Sequence, residues 1–455
     1  MSGIDRASAN TGAATSVHEA LTACLDGFNL TLPRGSGIAT FSRSLLATWS
    51  SLGLRTQVLH GPNVEVGQSL LMDEIALIEG SVPNKKLTKR QRQLLALRAI
   101  FGLSARPVLR SGRVRDTRSD SSLLESNDHW ISRDVFATSH RSFHRYGNII
   151  RVSFKPSAET PGPDFVQWTS TMPIVARNKL NLHTVHDIIP IVLPSTTLET
   201  KIDYIRLLKL LAERTDHFVA VSETTKRDLV EVVGVDEARI TNTYQSVSFP
   251  EPPGGLHQSA NLVEEAFGLG WKQYFLHYGT IEPKKNLGRL VEAYLRSGST
   301  TPLVVVGSAG WLDEPETALL RALNESATAS GRIRRYEYLP RGILEDLVRG
   351  AKATLFPSLY EGFGLPVLES MLAGTAVLTS TAGSLPEIAG GAAMLVNPFD
   401  VAEISRGIIA LDNDLSLRDE IVGLGRERAK FFSPARYEER VRGLLKQVGL
   451  TVPAS

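Results

Sequence analysis

Cysteine is almost absent from this chain, with Cys24 the only one in 455 residues. A single thiol cannot close an intrachain disulfide or build a cysteine-rich zinc site, and it suits a reducing cytoplasm. It reads as a small buried hydrophobe. An excess of one charge is missing too. Fifty Lys and Arg stand against 48 Asp and Glu, a formal net charge of +2, which argues against a chain that binds nucleic acid along its whole length. Long apolar runs are also lacking, and nothing approaches the roughly 20 residues that a bilayer crossing needs. Residues 1–19 are polar and small, without an apolar stretch of signal-peptide length, and are expected to form a flexible tail. The expected location is cytoplasmic, with any membrane contact peripheral, at the inner face of the cytoplasmic membrane.

What is present describes a folded α/β protein of two domains. Hydrophobic residues make up 42% and charged residues 22%, and the length exceeds one ordinary core. Strands are expected at 20–28, 55–59, 180–188 and 217–221. Helices are expected at 38–49, 200–214 and 223–233, the last with Ser222 as N-cap. FPEPPGG, from Phe249 to Gly255, forbids regular structure and marks a linker. A second strand series follows at 274–277, 303–306, 353–356, 376–379 and 393–396. The expected division is a domain over 20–248, a linker over 249–261 and a second domain over 262–432. A C-terminal helix within 433–455 is expected to return to the first domain. Two such series imply Rossmann-like domains facing one another across a cleft. The first carries a basic insert around 80–120, whose segment 85–118 holds eleven Lys and Arg against the single acid Asp116. With leucines interleaved, it reads either as a solvated helical face or as a helix on an anionic membrane surface.

The strongest signal is SLYEGFGLPVLESMLAG, Ser358 to Gly374. A strand feeds a glycine loop, which feeds a helix N-terminus with Pro366 in its first turn. Free backbone N–H groups and the positive end of a helix dipole then face one point, a setting for an anion. Glu361 and Glu369 flank it, where carboxylates can accept hydrogen bonds from hydroxyls. A phosphate with hydroxyls on either side describes a nucleotide sugar. A rival dehydrogenase reading of Gly35-Ser36-Gly37 fails, since Thr40 stands where the third glycine belongs and no acid ends the second strand.

The Glu361 to Glu369 spacing resembles the Glu-x7-Glu element of the family 4 retaining glycosyltransferases, a GT-B fold group. HYGTIEPKKNL (277–287), LVVVGSAGW (303–311), ATLFPS (353–358) and GSLPEIAGGAAMLVNP (383–398) agree in order, as do LPRGSGIATFSRSL, TVHDIIPIVLP and VSETTKRDL. The resemblance covers roughly residues 23–440, with the basic insert its least typical part. It implies that Glu369 holds the ribose hydroxyls. Glu361, with the backbone of Phe363, Gly364 and Leu365, would hold the transferred sugar. Lys285, helped by Lys284, would sit on the diphosphate, and Tyr338 and Leu339 would border the base. Gly35, Ser36 and Gly37 would offer N–H groups from across the cleft. His186 and Asp187, at a strand's carboxyl end, resemble the family's acceptor-side pair. Many members carry Arg after the glycine of the lysine motif; here Gly279 is followed by Thr280.

Three patterns are set aside. His183 and His186 fall on opposite faces of a strand, so they cannot chelate one ion. Asp412-Asn413-Asp414 reads as a solvated turn, and His140 with His144 as part of a surface helix. The expectation is therefore a retaining, metal-independent transfer of a hexose, mannose favoured, needing no cofactor. The sugar donor would be a nucleoside diphosphate sugar, a GDP-sugar such as GDP-mannose favoured. The acceptor would be a saccharide or lipid-linked saccharide in bacterial polysaccharide assembly. Attack from the face that the diphosphate leaves is preferred to a covalent intermediate on Glu361 or Asp187. The alternatives are a GT-B epimerase and a catalytically silent nucleotide-sugar scaffold.

Overall fold

The computed structural model describes residues 20–31, 37–63, 69–79, 88–109, 114, 126–310, 316 and 332–452. The expected tail, Gly35, Ser36, Lys85, Lys86 and the arginines at 110, 113, 115 and 118 lie outside these residues.

Two sheets organise the chain. The first comprises β1 (Thr22–Asp26), β2 (Arg55–His60), β3 (Leu103–Val108), β4 (Asp128–Ile131), β5 (Ile150–Phe154), β6 (Phe165–Trp168), β7 (Ile174–Ala176), β8 (Leu180–Val185), β9 (His217–Ala220) and β10 (Ile240–Asn242). Their order is β10-β9-β8-β6-β1-β2-β4-β3-β5-β7. Among the described pairings only β3 with β4 is antiparallel. The second comprises β11 (Phe275–Tyr278), β12 (Leu303–Val306), β13 (Ile333–Tyr336), β14 (Ala353–Phe356), β15 (Ala376–Ser380) and β16 (Met394–Val396). They are parallel in the order β13-β12-β11-β14-β15-β16. This sheet reverses its direction of travel between β11 and β14, and ligands of open α/β sheets bind at such a switch point.

Parallel strands covered by helices on both faces are apolar throughout, which is why 303–306 and 353–356 appear in the sequence with their true bounds. All four residues of each are buried. The helix Gly37–Ser51 buries Phe41, Leu45 and Trp49, one stripe at helical spacing. Ser222 caps the helix Glu223–Asp228 by accepting from the Thr225 N–H at 3.0 Å.

One apolar cluster joins the domains. Phe41, Leu45 and Trp49 share it with Phe363, Val367 and Met371 of the second domain, and with Tyr437, Val441 and Leu445. The last three lie on the helix Pro434–Gln447, which runs back onto the first domain. There Glu438 accepts from Ser51 at 2.7 Å and Gln447 from Thr241 at 2.6 Å. Each large apolar side chain buried in this way is worth about 1.5–3 kcal/mol, so the two halves meet through a core.

Three expectations need correction. The linker is shorter than 249–261, because a helix begins at Gly255 and runs to Phe267. The prolines stop at Pro253, and Ser259 and Val263 then give the helix a buried side. The basic insert is not one helical face. Among the described residues of the insert only Lys89–Arg98 is α-helical, and Leu103–Val108 is a sheet strand held between β4 and β5. Asp412 is not solvated: it pairs with Lys352 at 2.7 Å and accepts from Ser299 and Thr301, locking the helix Val401–Asn413 to the sheet.

Candidate functional site

At the carboxyl end of β14 the chain turns through Ser358 to Gly364 and enters the helix Leu365–Leu372. Gly364 is its N-cap at φ +98°, a conformation open to glycine and strained for other residues. The loop is held from behind, since Ser384 donates its N–H (3.1 Å) and its hydroxyl (3.0 Å) to the Glu361 carbonyl. Gly362 explains the tightness of the junction. A Cβ at that position would lie 1.7 Å from the His186 carbonyl oxygen and 2.8 Å from the Asp187 Cβ. Glycine there lets the Glu361 loop close onto the His186–Asp187 corner of the other domain. Gly37 does the same nearby, its missing Cβ 3.2 Å from Leu365. The first residues of two helices, Gly37 and Leu365, thus meet at the junction.

Beyond β11 the chain passes Gly279 (φ +130°) into a short turn, Pro283–Lys285. Asn286 secures it, its buried side-chain amide donating to the carbonyls of Pro357 (2.9 Å) and Pro398 (2.7 Å). Lys285 Nζ lies 2.6 Å from Glu361 Oε1 and 4.8 Å from the Phe356 ring centre. Lys284 Nζ stands 3.5 Å from Glu282 and 3.9 Å from the other Glu361 oxygen. Burial alone would raise the Glu361 carboxyl, but the two lysines bring it below the ordinary carboxylate range. Burial likewise opposes the Lys284 charge, yet Glu361, Asp187 and Glu282 push its pKa up. The lysines are therefore not a solvated surface pair. Both stand over Glu361, and the residues expected to hold sugar and diphosphate are each other's counter-ions.

Glu369 sits deeper, 5% exposed. Its Oε1 accepts from Arg341 Nη1 at 2.8 Å and its Oε2 from the Tyr278 hydroxyl at 3.0 Å. Sequence reasoning missed both partners. A buried carboxylate requires a cation or a hydroxyl, but the burial of Glu369 is a property of the fold; Arg341 stands two residues beyond the expected base segment. Of that segment, Tyr338 is 59% exposed while Leu339 leans on the cluster holding Tyr278 and Val306.

On the facing domain β8 ends at Val185, and His186 and Asp187 form the corner after it. His186 Nε2 donates to the Thr169 carbonyl at 2.8 Å, which fixes its tautomer, and its ring meets Phe41 edge-on at 5.1 Å. Burial lowers its pKa, with the Thr169 bond and Asp187 opposing. Asp187 accepts from the Ile189 N–H at 3.0 Å, and its carbonyl accepts from Tyr204. His183 is separate, fully buried and hydrogen-bonded to Thr215 at 2.8 Å, its pKa pushed down to about 3 by burial. Asp26, at the end of β1, accepts from the Thr169 and Phe28 N–H groups, and burial raises its carboxyl to about 6.

A polar latch closes the junction. Glu387 accepts from the N–H groups of Glu223 (2.8 Å) and Thr224 (3.1 Å) at the start of Glu223–Asp228. Tyr360, beside Glu361, donates to Asp228.

Both halves of the chain resemble known proteins. Residues 265–428 match the family model described as Glycosyl transferases group 1, and residues 117–247 match Glycosyltransferase Family 4. The chain is similar to O-antigen chain mannosyltransferase B of Escherichia coli, 32% identical over 55% of this chain and 66% of the relative. It is also similar to the serotype-specific mannosyltransferase WbdA of Escherichia coli, 31% identical over 43% of this chain. The match spans just under two thirds of the first relative and about a quarter (24%) of the second. Among solved structures, sucrose-phosphate synthase from Thermosynechococcus elongatus superposes with a TM-score of 0.63, covering 94% of this chain and 99% of that one. At 15% identity that likeness is one of fold.

Proposed function

From the premise that this chain belongs to the family 4 glycosyltransferases of GT-B fold, we propose that it transfers mannose from GDP-mannose to a saccharide or lipid-linked acceptor in polysaccharide assembly, with retention and without a metal ion. The observation that carries the reading is the meeting of Lys284, Lys285 and Glu361 with the His186–Asp187 corner at the Gly362 contact. A departing nucleoside diphosphate gains negative charge as its bond to the sugar breaks. Two lysines and the N-terminus of Leu365–Leu372 are the groups that meet that charge, so they stabilise the transition state more than the bound substrate. They occupy the role that a divalent ion fills elsewhere.

As the sugar–phosphate bond breaks, the acceptor hydroxyl bonds to the anomeric carbon from the same face, and its proton passes to the leaving phosphate oxygen. Glu361, released from Lys285 by the diphosphate, takes up the sugar hydroxyls. Glu369 takes the ribose. A covalent step on Glu361 is disfavoured because, once the donor is bound, the carboxylate is engaged in accepting from the sugar hydroxyls. The relatives' names as mannosyltransferases support mannose as the sugar.

The purified protein incubated with GDP-, UDP- and ADP-sugars and an oligosaccharide acceptor tests this. Transfer from GDP-mannose, undiminished by excess EDTA and with the α-anomer retained by NMR, is expected. Inversion, or complete loss on chelation restored by Mg²⁺ or Mn²⁺, contradicts it.

We further propose that the first domain rests on an anionic membrane. No helix among the described residues is long and apolar enough to cross one. Support comes from Leu94, Leu97, Ile100 and Phe101, exposed beside Lys89, Arg90 and Arg98, with Phe101 82% exposed. Each cation near an anionic leaflet is worth about 1 kcal/mol. Co-sedimentation with anionic but not neutral liposomes, lost in Lys89→Glu/Arg90→Glu, is expected. Equal binding to neutral vesicles, or none to either, removes the membrane role.

A further inference from the structure

Arg341 opens the helix Arg341–Gly350, which follows β13 at the edge of the second sheet. A guanidinium carries five N–H donors in a rigid fork. Two are engaged, Nε on Glu345 at 2.6 Å and Nη1 on Glu369 at 2.8 Å. The other three, including both on Nη2, have no protein partner among the described residues. The Arg341 side chain is 47% exposed, whereas the two acids holding it are 11% and 6% exposed. The group is therefore held at Nε and Nη1 by two acids, with both N–H groups of Nη2 open.

Its position adds direction. The lysines and the Glu361 loop lie at the switch point between β11 and β14. Glu369 lies one helical turn behind them, and Arg341 reaches Glu369 from the β13 side. A nucleotide with its diphosphate at Lys285 and its ribose at Glu369 continues toward Arg341, and what continues beyond a ribose is the base.

We propose that Arg341 reads the base of the sugar donor and selects guanine; this rests on the reading that Glu369 holds the ribose. Guanine presents two adjacent acceptors, O6 and N7, which match two N–H groups at the end of the fork. Adenine sets an amino group beside N7, opposing a guanidinium, and uracil offers a single O4. The two acids orient the fork before the nucleotide arrives. A lysine at this position would keep the charge and lose the geometry.

Calorimetric titration of GDP, UDP and ADP into wild type, Arg341→Ala, Arg341→Lys and Glu369→Ala tests the assignment, with circular dichroism to confirm folding. Wild type is expected to prefer GDP. Arg341→Ala and Arg341→Lys should each lower that preference over UDP by about tenfold or more. The lysine variant, with a cation still between the two acids, keeps the test valid if the alanine variant folds poorly. An equal loss for all three nucleotides would make Arg341 a counter-ion of Glu369 alone and overturn the proposal, as would an unchanged preference or a wild type that favours UDP. Glu369→Ala examines the underlying reading separately, since it should weaken all three nucleotides alike. If it changes none, the ribose assignment fails whatever Arg341 does.

Discussion

The two walls of the cleft hold their charged groups in opposite ways. On the second domain, charged side chains answer charged side chains: Lys285 with Glu361, Lys284 with Glu282, and Arg341 with Glu369. On the first, polar groups are tied to backbone. His186 donates to the Thr169 carbonyl, Asp187 accepts from the Ile189 N–H, and Asp26 accepts from the N–H groups of Thr169 and Phe28. The acids record the difference. Glu361, between two lysines, is held below the ordinary carboxylate range, whereas Asp26, buried among neutral groups, is raised to about 6. A wall of ion pairs can exchange partners with a charged ligand. A wall of backbone bonds presents a shape. The second domain's wall is therefore suited to exchanging partners with a charged ligand, and the first domain's wall to holding a fixed shape.

The largest effect should come from breaking the charge wall. Lys285→Ala removes the cation proposed to lie nearest the leaving diphosphate, and losing one such group costs about 2.7–4 kcal/mol, or about a hundredfold to a thousandfold in kcat. Steady-state rates with GDP-mannose measure it, and a near-normal kcat would take Lys285 out of the chemistry.

A smaller effect distinguishes the two walls by pH. Asp26 binds its proton more tightly when folded (about 6) than unfolded (3.8). Its contribution to stability is thus complete below about pH 4 and is lost as pH rises through 6, in total about 3 kcal/mol. Asp26→Asn cannot ionise, so its stability relative to wild type should improve from pH 4 to about pH 6 and level off above that. Glu361 has the opposite sign: the stability it contributes is present above its unfolded pKa and fades as pH falls through its lowered folded value. Urea midpoints of both proteins across that range test this, and a constant difference would mean that Asp26 is not strained by burial.

The smallest effect belongs to the latch. Glu387→Ala leaves two N–H groups at the start of Glu223–Asp228 without their acceptor. Loss of a helix-capping acceptor typically costs about 1 kcal/mol, or about 1 °C in a melting scan of a chain this large. No shift would make the latch a passive contact.

Legibility in the sequence followed the same division. The second domain was readable because its central strands are uninterrupted apolar runs and its loops carry glycines with a steric reason, as at Gly362 and Gly364. The edge strand Ile333–Tyr336 escaped because Arg334 and Arg335 break its apolar run, and its residues are only half buried. In the first domain, β3 was hidden inside a cationic stretch. Arg106 and Pro107 argue against a strand, yet β4 and β5 on either side supply the hydrogen bonds. Among site residues, Glu361, Lys285, His186 and Asp187 were all visible as motif members that the fold brings to one junction. Arg341 and Tyr278 were not: Arg341 lies outside the quoted segments, and Tyr278 lies within one, 277–287, with nothing there to pair it with Glu369. Burial of Glu369 makes them necessary, and burial is a property of the fold.

The central claim is that Glu361 occupies the lysine pair until a diphosphate displaces it. Titration of GDP, which lacks the sugar, into Glu361→Gln tests this most directly. Removing the internal anion should tighten GDP binding relative to wild type while transfer from GDP-mannose falls, because the sugar loses its carboxylate. GDP binding that weakens in Glu361→Gln would contradict the account, since the carboxylate would then be holding the lysines for the diphosphate instead of competing with it.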